Sequence, residues 1–250
     1  VSAGQGALLA GRGLHRGRVH PAPRVAVVSI GDELFEPGQS REAGDVFDAN
    51  GHALACAVTD AGGQAFRVAA VPDELRALAE TIEDQLVRAD VLITTGGLSV
   101  GQGDTVKEVL APLGSVRFDA VAMSPGRQLG VGTVEGTPIF CLPGDPVSAQ
   151  IAFETFVRPV LRQIAGRTSL HRSSLPATIS EGWHSPAGKR EFVPVHVSGS
   201  PSRGYRAEPT TPPGTVRLHG LSEANAIAVV PEDTSTVVSG DTLHCLLLDA

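Results

Sequence analysis

Between residues 24 and 166 apolar runs alternate with amphipathic stretches, and this alternation predicts a parallel sheet covered by helices on both faces. VAVVSI (25–30) is an unbroken apolar run ending in Gly31, the pattern of a strand buried on both sides. Asn50 is placed to cap a helix that runs to Ala61 and stops at Gly62-Gly63. FRVAAV (66–71) reads as the second strand and DVLITTGG (90–97) as the third. Between them, DELRALAETIEDQLVRA (73–89) sets Leu75, Leu78, Ile82 and Leu86 at three- and four-residue steps, which predicts an amphipathic helix with its charges outward. Thr105 and Glu108 have capping-box spacing ahead of a helix that Gly114 ends. VRFDAVAM and QLGVGTV read as extended segments joined by the turn SPGR, and PIFCL (138–142) as the last strand. Pro146 then opens a long helix to Ala165, which Pro159 should kink.

After Gly166 the pattern changes to short alternating runs broken by Gly, Pro and Ser, the signature of a small β-barrel or sandwich. The expected organisation is a three-layer α/β/α domain over residues 24–168 and a small β-barrel domain over 172–250. Residues 1–23, rich in Gly and Arg and without periodicity, read as the remnant of an N-terminal domain or linker.

The bulk numbers narrow the function classes. With 42% hydrophobic residues in 250, the chain can bury a substantial core. A formal charge of −7 and the absence of any long basic run argue against a sequence-independent grip on nucleic acid. No apolar stretch reaches a membrane span's length and nothing at the start resembles a signal peptide, so a cytoplasmic protein is expected. The three cysteines, Cys56, Cys141 and Cys245, lack CxxC spacing and sit in apolar company, which points to core packing for all three. The eight histidines form no HxH or HxxxH pair, against a His-ligated metal.

In an open α/β sheet ligands bind beyond the carboxyl ends of the strands. Three loops fall there: GDEL with Asp32 and Glu33, TGGLSVGQGD with Gly96, Gly97, Ser99, Gly101 and Asp104, and LPGDP with Asp145. Glycine-rich loops that feed helices can aim backbone N–H groups at a phosphate, and alternating carboxylates suit a phosphate bridged by a divalent cation. Each residue also has a plainer reading. Asp104 either holds a ligand or braces the start of a helix, and Asp145 either serves a site or only caps. Asp73 and Glu74 suit a helix dipole as well as a site. Arg127, the only cation inside these loop motifs, either clamps a phosphate or is solvated. Glu33 follows an apolar strand directly and caps no evident helix, which favours a functional role.

In this order GDEL, DVFDAN, TGGLSVGQGD, SPGRQ and LPGDPVSA resemble the molybdopterin molybdenumtransferase family, the MoeA and gephyrin E-domain group. The resemblance extends over about residues 24–250, since KREF (189–192) and SEANAIAVVPEDTSTVVSGDTL are similar to that family's C-terminal β-domain. It implies an enzyme that binds adenylylated molybdopterin and molybdate, cleaves the phosphoanhydride and releases AMP. It also implies a homodimer with its site between subunits. Glu33 and Asp104 then fall on metal (Mg2+) and substrate carboxylates, with Asp73 or Glu74 as a further acidic member. Gly96, Gly97, Ser99 and Gly101 fall on the phosphate cradle, and Pro125, Gly126, Arg127, Pro143, Gly144, Asp145 and Pro146 on the lining turns.

The departures matter. The family's turn reads KPGKP or KPGLP where this chain has SPGRQ, so Ser124 stands for a lysine and Gln128 for a proline. LPGNP has become LPGDP, which adds the charge of Asp145 to a site meant for anions unless a cation or Arg127 meets it. A second reading therefore stays open: a drifted, gephyrin-like paralogue that serves as a protein-binding scaffold.

Overall fold

The computed structural model describes residues 2–98, 104–215 and 217–248. An isolated helix α1 (Ala3–Gly11) buries none of its residues. The first domain then runs β1 (Arg24–Ser29), β2 (Leu34–Phe35), β3 (Val46–Phe47), α2 (Ala49–Asp60), β4 (Gln64–Arg67), α3 (Leu75–Leu86), β5 (Val91–Thr95) and α4 (Thr105–Leu113). It continues through β6 (Gly114–Ala120), β7 (Met123–Ser124), β8 (Gln128–Val134), β9 (Thr137–Leu142), α5 (Pro146–Ala152), a π-helical turn (Phe153–Val157) and α6 (Arg158–Ile164). The sheet order is β4-β1-β5-β9-β8-β6; the first four strands are parallel, and β8 and β6 are antiparallel.

Alternate residues of β1 enter two separate cores, which is why its run is apolar throughout. Val25 and Val27 pack with Leu54 and Val58 of α2 and with Phe153 and Leu161. Ala26 and Val28 pack on the other face with Leu78 and Ile82 of α3 and Val106 and Leu110 of α4. The three-layer arrangement follows directly.

Several local expectations are corrected. The cap of α2 is Asp48, whose carboxylate accepts from Gly51 N–H at 2.8 Å, and Asn50 lies buried inside the helix. The cap of α4 is Asp104, accepting from Lys107 N–H at 3.1 Å, one residue ahead of the predicted Thr105. Helix α3 begins at Leu75, so Asp73 and Glu74 precede it and Glu74 makes no side-chain cap bond. The strand foreseen at 66–71 leaves the sheet after Arg67 and returns only as a single bridge from Val71 to Ile30. Pro159 has no N–H to donate, and the helix absorbs the gap as a five-residue π turn. Among the cysteines, burial pushes Cys141 up to about 12 and Cys245 to about 11, whereas Cys56 is exposed.

The second domain comprises β10 (Ser174–Ile179), β11 (Trp183–His184), β12 (Arg190–Ser200), β13 (Gly204–Pro209), α7 (Leu218–Glu223), β14 (Ala226–Val230), β15 (Thr236–Val237) and β16 (Thr242–Leu247). Strands β13-β10-β16-β14-β12 pair in that order and β12 pairs back to β13, closing a five-stranded barrel around Ile179, Val195, Ala207, Ala228 and Cys245. Strand β7 adds to its rim, with Ser124 opposite Glu191. The barrel is also tied to the π turn: Arg172 binds both oxygens of Glu154 at 2.8 and 2.9 Å and donates to the Leu248 carbonyl at 2.6 Å. Among the described residues no helix is long and apolar enough to cross a membrane.

Candidate functional site

The carboxyl ends of β1, β5 and β9 lie side by side, with Ser29 opposite Thr95 and Thr95 opposite Leu142. The loops that follow are in backbone contact. Gly96 has φ +86°, and a Cβ there would stand 2.2 Å from the Ile30 carbonyl oxygen. A Cβ on Gly144 would lie 3.4 Å from the Gly96 Cα. Glycine at these positions lets three chain segments meet without side chains between them.

The acidic residues occupy one end of this junction. The carboxylate of Glu33 folds back over Gly31, close enough that a Cβ on Gly31 would be 2.7 Å from Oε2. Asp73 is fixed by its own N–H, which donates to Asp32 Oδ1 at 3.0 Å, and its Oδ1 lies 3.7 Å from the Cβ position of Gly97. Asp104 is half-buried at the head of α4. Burial pushes its carboxyl above the ordinary aspartate range; the Lys107 N–H and charge oppose this, and the charges of Asp73 and Glu108 add to it. Asp73 and Asp104 are therefore electrostatic neighbours, and Glu74 shows no such link.

Asn50 ties the junction together from below. Its Nδ2 donates to Thr95 Oγ1 at 2.8 Å and to the Gly144 carbonyl at 2.7 Å, while Thr95 Oγ1 donates to the Pro143 carbonyl at 2.8 Å. Its Oδ1 is buried without a hydrogen-bond partner. The LPGDP turn is thus hung on β5 by two side chains. Asp145 caps α5, accepting from Ser148 N–H at 2.8 Å, and Pro146 occupies the first helical turn.

The SPGRQ turn completes the other wall. A Cβ on Gly126 would be 3.1 Å from the Ser148 carbonyl, so this turn lies against the first turn of α5. A cleft of about 420 Å³ is lined by Gly126, Arg127, Gln128, Pro143 and Ser148. A second cavity of about 160 Å³, lined by Leu98, Asp104, Lys107, Phe118 and Asp119, shares Ala120 and Gln128 with it. The two cavities are neighbours across Ala120 and Gln128. Arg127 is exposed, and among the described residues it forms no ion pair with Asp145, contrary to the pairing the sequence suggested. Ser99 and Gly101 lie outside the described residues.

Sequence reasoning missed Asn50, Thr95, Ser148 and Lys107 as parts of this site. Asn50, Thr95 and Ser148 lie inside the motifs DVFDAN, TGGLSVGQGD and LPGDPVSA, and Lys107, three residues after Asp104, shares the first turn of α4. No group of three or more His, Cys, Asp and Glu able to hold a metal ion occurs among the described residues. The donor set suits a different arrangement. Mg2+ usually binds through one or two carboxylates, waters and substrate phosphates, and Asp73 and Asp104, the latter raised by burial, supply such a pair.

Two family models match the chain: "Probable molybdopterin binding domain" over residues 26–163 and "MoeA C-terminal region (domain IV)" over 176–248. Molybdopterin molybdenumtransferase 2 of Mycobacterium tuberculosis is 37% identical over 247 residues, covering 95% of this chain and 59% of that protein. Molybdopterin molybdenumtransferase 1 of the same organism is 34% identical over 254 residues, covering 99% and 60%. The crystal structure of a molybdopterin biosynthesis MoeA protein from Pyrococcus horikosii superposes with a TM-score of 0.86 at 27% identity, covering 100% of this chain and 60% of that one. The chain thus spans about 60% of the length of the relatives it matches.

Proposed function

Because the chain belongs to the MoeA family of molybdopterin molybdenumtransferases, we propose that it acts in molybdenum cofactor biosynthesis, binding adenylylated molybdopterin and molybdate and cleaving the phosphoanhydride to release AMP. The observation that carries this reading is the pairing of Asp104, raised by burial, with Asp73 beside the Gly96–Gly97 loop. Two acids gathered at one corner suit a ligand that arrives with a cation.

Phosphoanhydride cleavage requires positioning and charge neutralisation more than covalent chemistry. In this reading Asp104 and Asp73 would hold Mg2+, with Glu33 at the rim of the same junction. When bound, the ion would neutralise the charge that develops on the phosphate oxygens. Asp32 keeps Asp73 in place through its backbone N–H. Lys107 in the smaller cavity and Arg127 in the neighbouring cleft supply the cations that grip the phosphates. Asn50 and Thr95 keep the LPGDP turn at a fixed height, so that Pro143 and Ser148 present a constant wall. Asp145 remains a solvated helix cap at the edge and is not a ligand.

The reading also includes two domains with the boundaries given above, a homodimer and a cytoplasmic setting. Helix α1, with no buried residue and Leu8 60% accessible, supports an N-terminal region that packs against something outside this fold.

Calorimetric titration of adenylylated molybdopterin tests the proposal, with and without Mg2+. Binding should tighten with Mg2+ and lose that dependence in Asp104→Ala, and it should weaken in Glu33→Ala. Equal affinity in the wild type and both variants, with and without Mg2+, would overturn the placement of the site.

A further inference from the structure

The loop that carries Glu33 leaves the domain at Gly31 and rejoins it at Asp48, and two backbone bonds close its neck. Val46 N–H donates to the Glu33 carbonyl at 2.8 Å, and Asp48 N–H to the Phe35 carbonyl at 2.9 Å. The neck consists of β2 and β3, of two residues each, and Val46 and Phe47 are exposed. A ladder so short and so open to water is weakly held on its own.

Side chains supply the rest, on both sides of Glu33. On one side Asp32 accepts from Asp73 N–H at 3.0 Å. On the other, Arg67 at the end of β4 grips Glu36 with both arms of its guanidinium: Nη1 donates to Oε1 at 2.7 Å and Nη2 to Oε2 at 2.8 Å. The two side chains are only 26% and 27% exposed, and His52 of α2 stands 3.6 Å from the same carboxylate. A forked guanidinium–carboxylate pair fixes orientation as well as distance.

Arg67 is itself fixed. Its Nη1 also donates to Asp48 Oδ2 at 3.4 Å, and Asp48 is buried at the cap of α2, where Ser29 Oγ and Gly51 N–H each donate to its other oxygen at 2.8 Å. Gly51 leaves room for this arrangement, since a Cβ there would stand 2.3 Å from Asp48 Oδ2 and 3.1 Å from Arg67 Cδ. A chain of contacts therefore runs from the end of β1 through the cap of α2 and the end of β4 to Glu36, three residues beyond Glu33.

We propose that Arg67 is a positioning residue for the transferase: it pins Glu36 to the buried Asp48 cap and so holds the loop with the Glu33 carboxylate folded over Gly31. It acts through Glu33. The inference rests on the transferase reading for the work that Glu33 does, and it adds the residue that keeps Glu33 in place.

Two measurements on the intact chain test it. Hydrogen exchange needs no substrate. Arg67→Met should speed exchange of the Val46 and Asp48 amides about tenfold and leave Val27 and Val28 unchanged, and Arg67→Lys, which keeps the charge but not the fork, should fall between. The second measurement is calorimetry with adenylylated molybdopterin and Mg2+. Arg67→Met and Glu33→Ala should each weaken binding about tenfold, and the double variant also about tenfold and not a hundredfold, because both act at one carboxylate. Glu36→Ala releases the loop from its own side, leaves Arg67 paired with Asp48, and should match Arg67→Met in both measurements, which covers an Arg67 variant that does not fold. Unchanged exchange at Val46 and Asp48, or losses that multiply to about a hundredfold, would overturn the proposal. An unsubstituted chain that binds no adenylylated molybdopterin would overturn the transferase reading instead, with Arg67 then judged on exchange alone.

Discussion

Replacing Asn50 with alanine tests how the candidate site is held together. The side chain is 9% exposed and donates two hydrogen bonds, to Thr95 Oγ1 and to the Gly144 carbonyl. Each such bond contributes about 1 kcal/mol net, and a stranded buried acceptor costs about 1–3 kcal/mol. Two terms reduce the sum. Gly144 is itself exposed, so water can reach its carbonyl, and truncation also removes the unpartnered Oδ1. The net expectation is a loss of about 2 kcal/mol, or roughly 4–8 °C in Tm for a chain of this size. Urea unfolding followed by circular dichroism measures it. Asn50→Asp gives a sharper comparison, because at neutral pH it sets an oxygen against the Gly144 carbonyl that the amide now meets at 2.7 Å. A loss below about 0.5 kcal/mol in Asn50→Ala, within the usual range for surface substitutions, or full tolerance of Asn50→Asp, would refute the account of Asn50 as the tie between β5 and the LPGDP turn.

Other substitutions test other parts. The folded-state pKa of Asp104 is raised, so its ionisation lowers stability as pH rises through that value and has no such effect below the ordinary aspartate range. Asp104→Asn, which keeps the cap, should therefore raise the urea midpoint at pH 7 and lose this advantage in acid; no difference at any pH would contradict the burial argument. Gly96→Ala must adopt a left-handed φ and crowd the Ile30 carbonyl, for a loss of roughly 2–5 kcal/mol by denaturation. Glu154→Gln removes the carboxylate shared by Arg172 and the buried Arg158, which lies 3.6 Å from it; the expected loss is about 3–5 kcal/mol in the same assay. Asp145→Asn should retain the Ser148 cap and the fold while tightening inorganic phosphate binding in the cleft, measured by calorimetry.

Much of this architecture can be read from the pattern of apolar positions. The unbroken run at Val25–Val28 announces a strand with helices on both sides, and the three- and four-residue steps through Leu78 and Ile82 announce the helix that covers one of them. The motif loops also fall where the sheet order requires. What the sequence withholds are choices decided at long range. Asp48 and Asn50 are both good caps two residues apart, and Asn50 is drawn inside because Gly144, 94 positions away, needs its amide. Asp73 and Glu74 resemble a helix start until the chain's bond to Asp32 holds the first of them outside. Met123 and Ser124 read as the end of one extended segment, yet they pair with the barrel strand β12. For the same reason Glu191, inside the charged run KREF, gives no sign of being buried.

The central claim is tested most directly by counting AMP released from adenylylated molybdopterin in the presence of Mg2+, with and without molybdate. The account predicts molybdate-dependent release that Asp104→Ala and Asp73→Ala both abolish while each variant remains folded. Release that ignores molybdate, or that survives both substitutions, would contradict it.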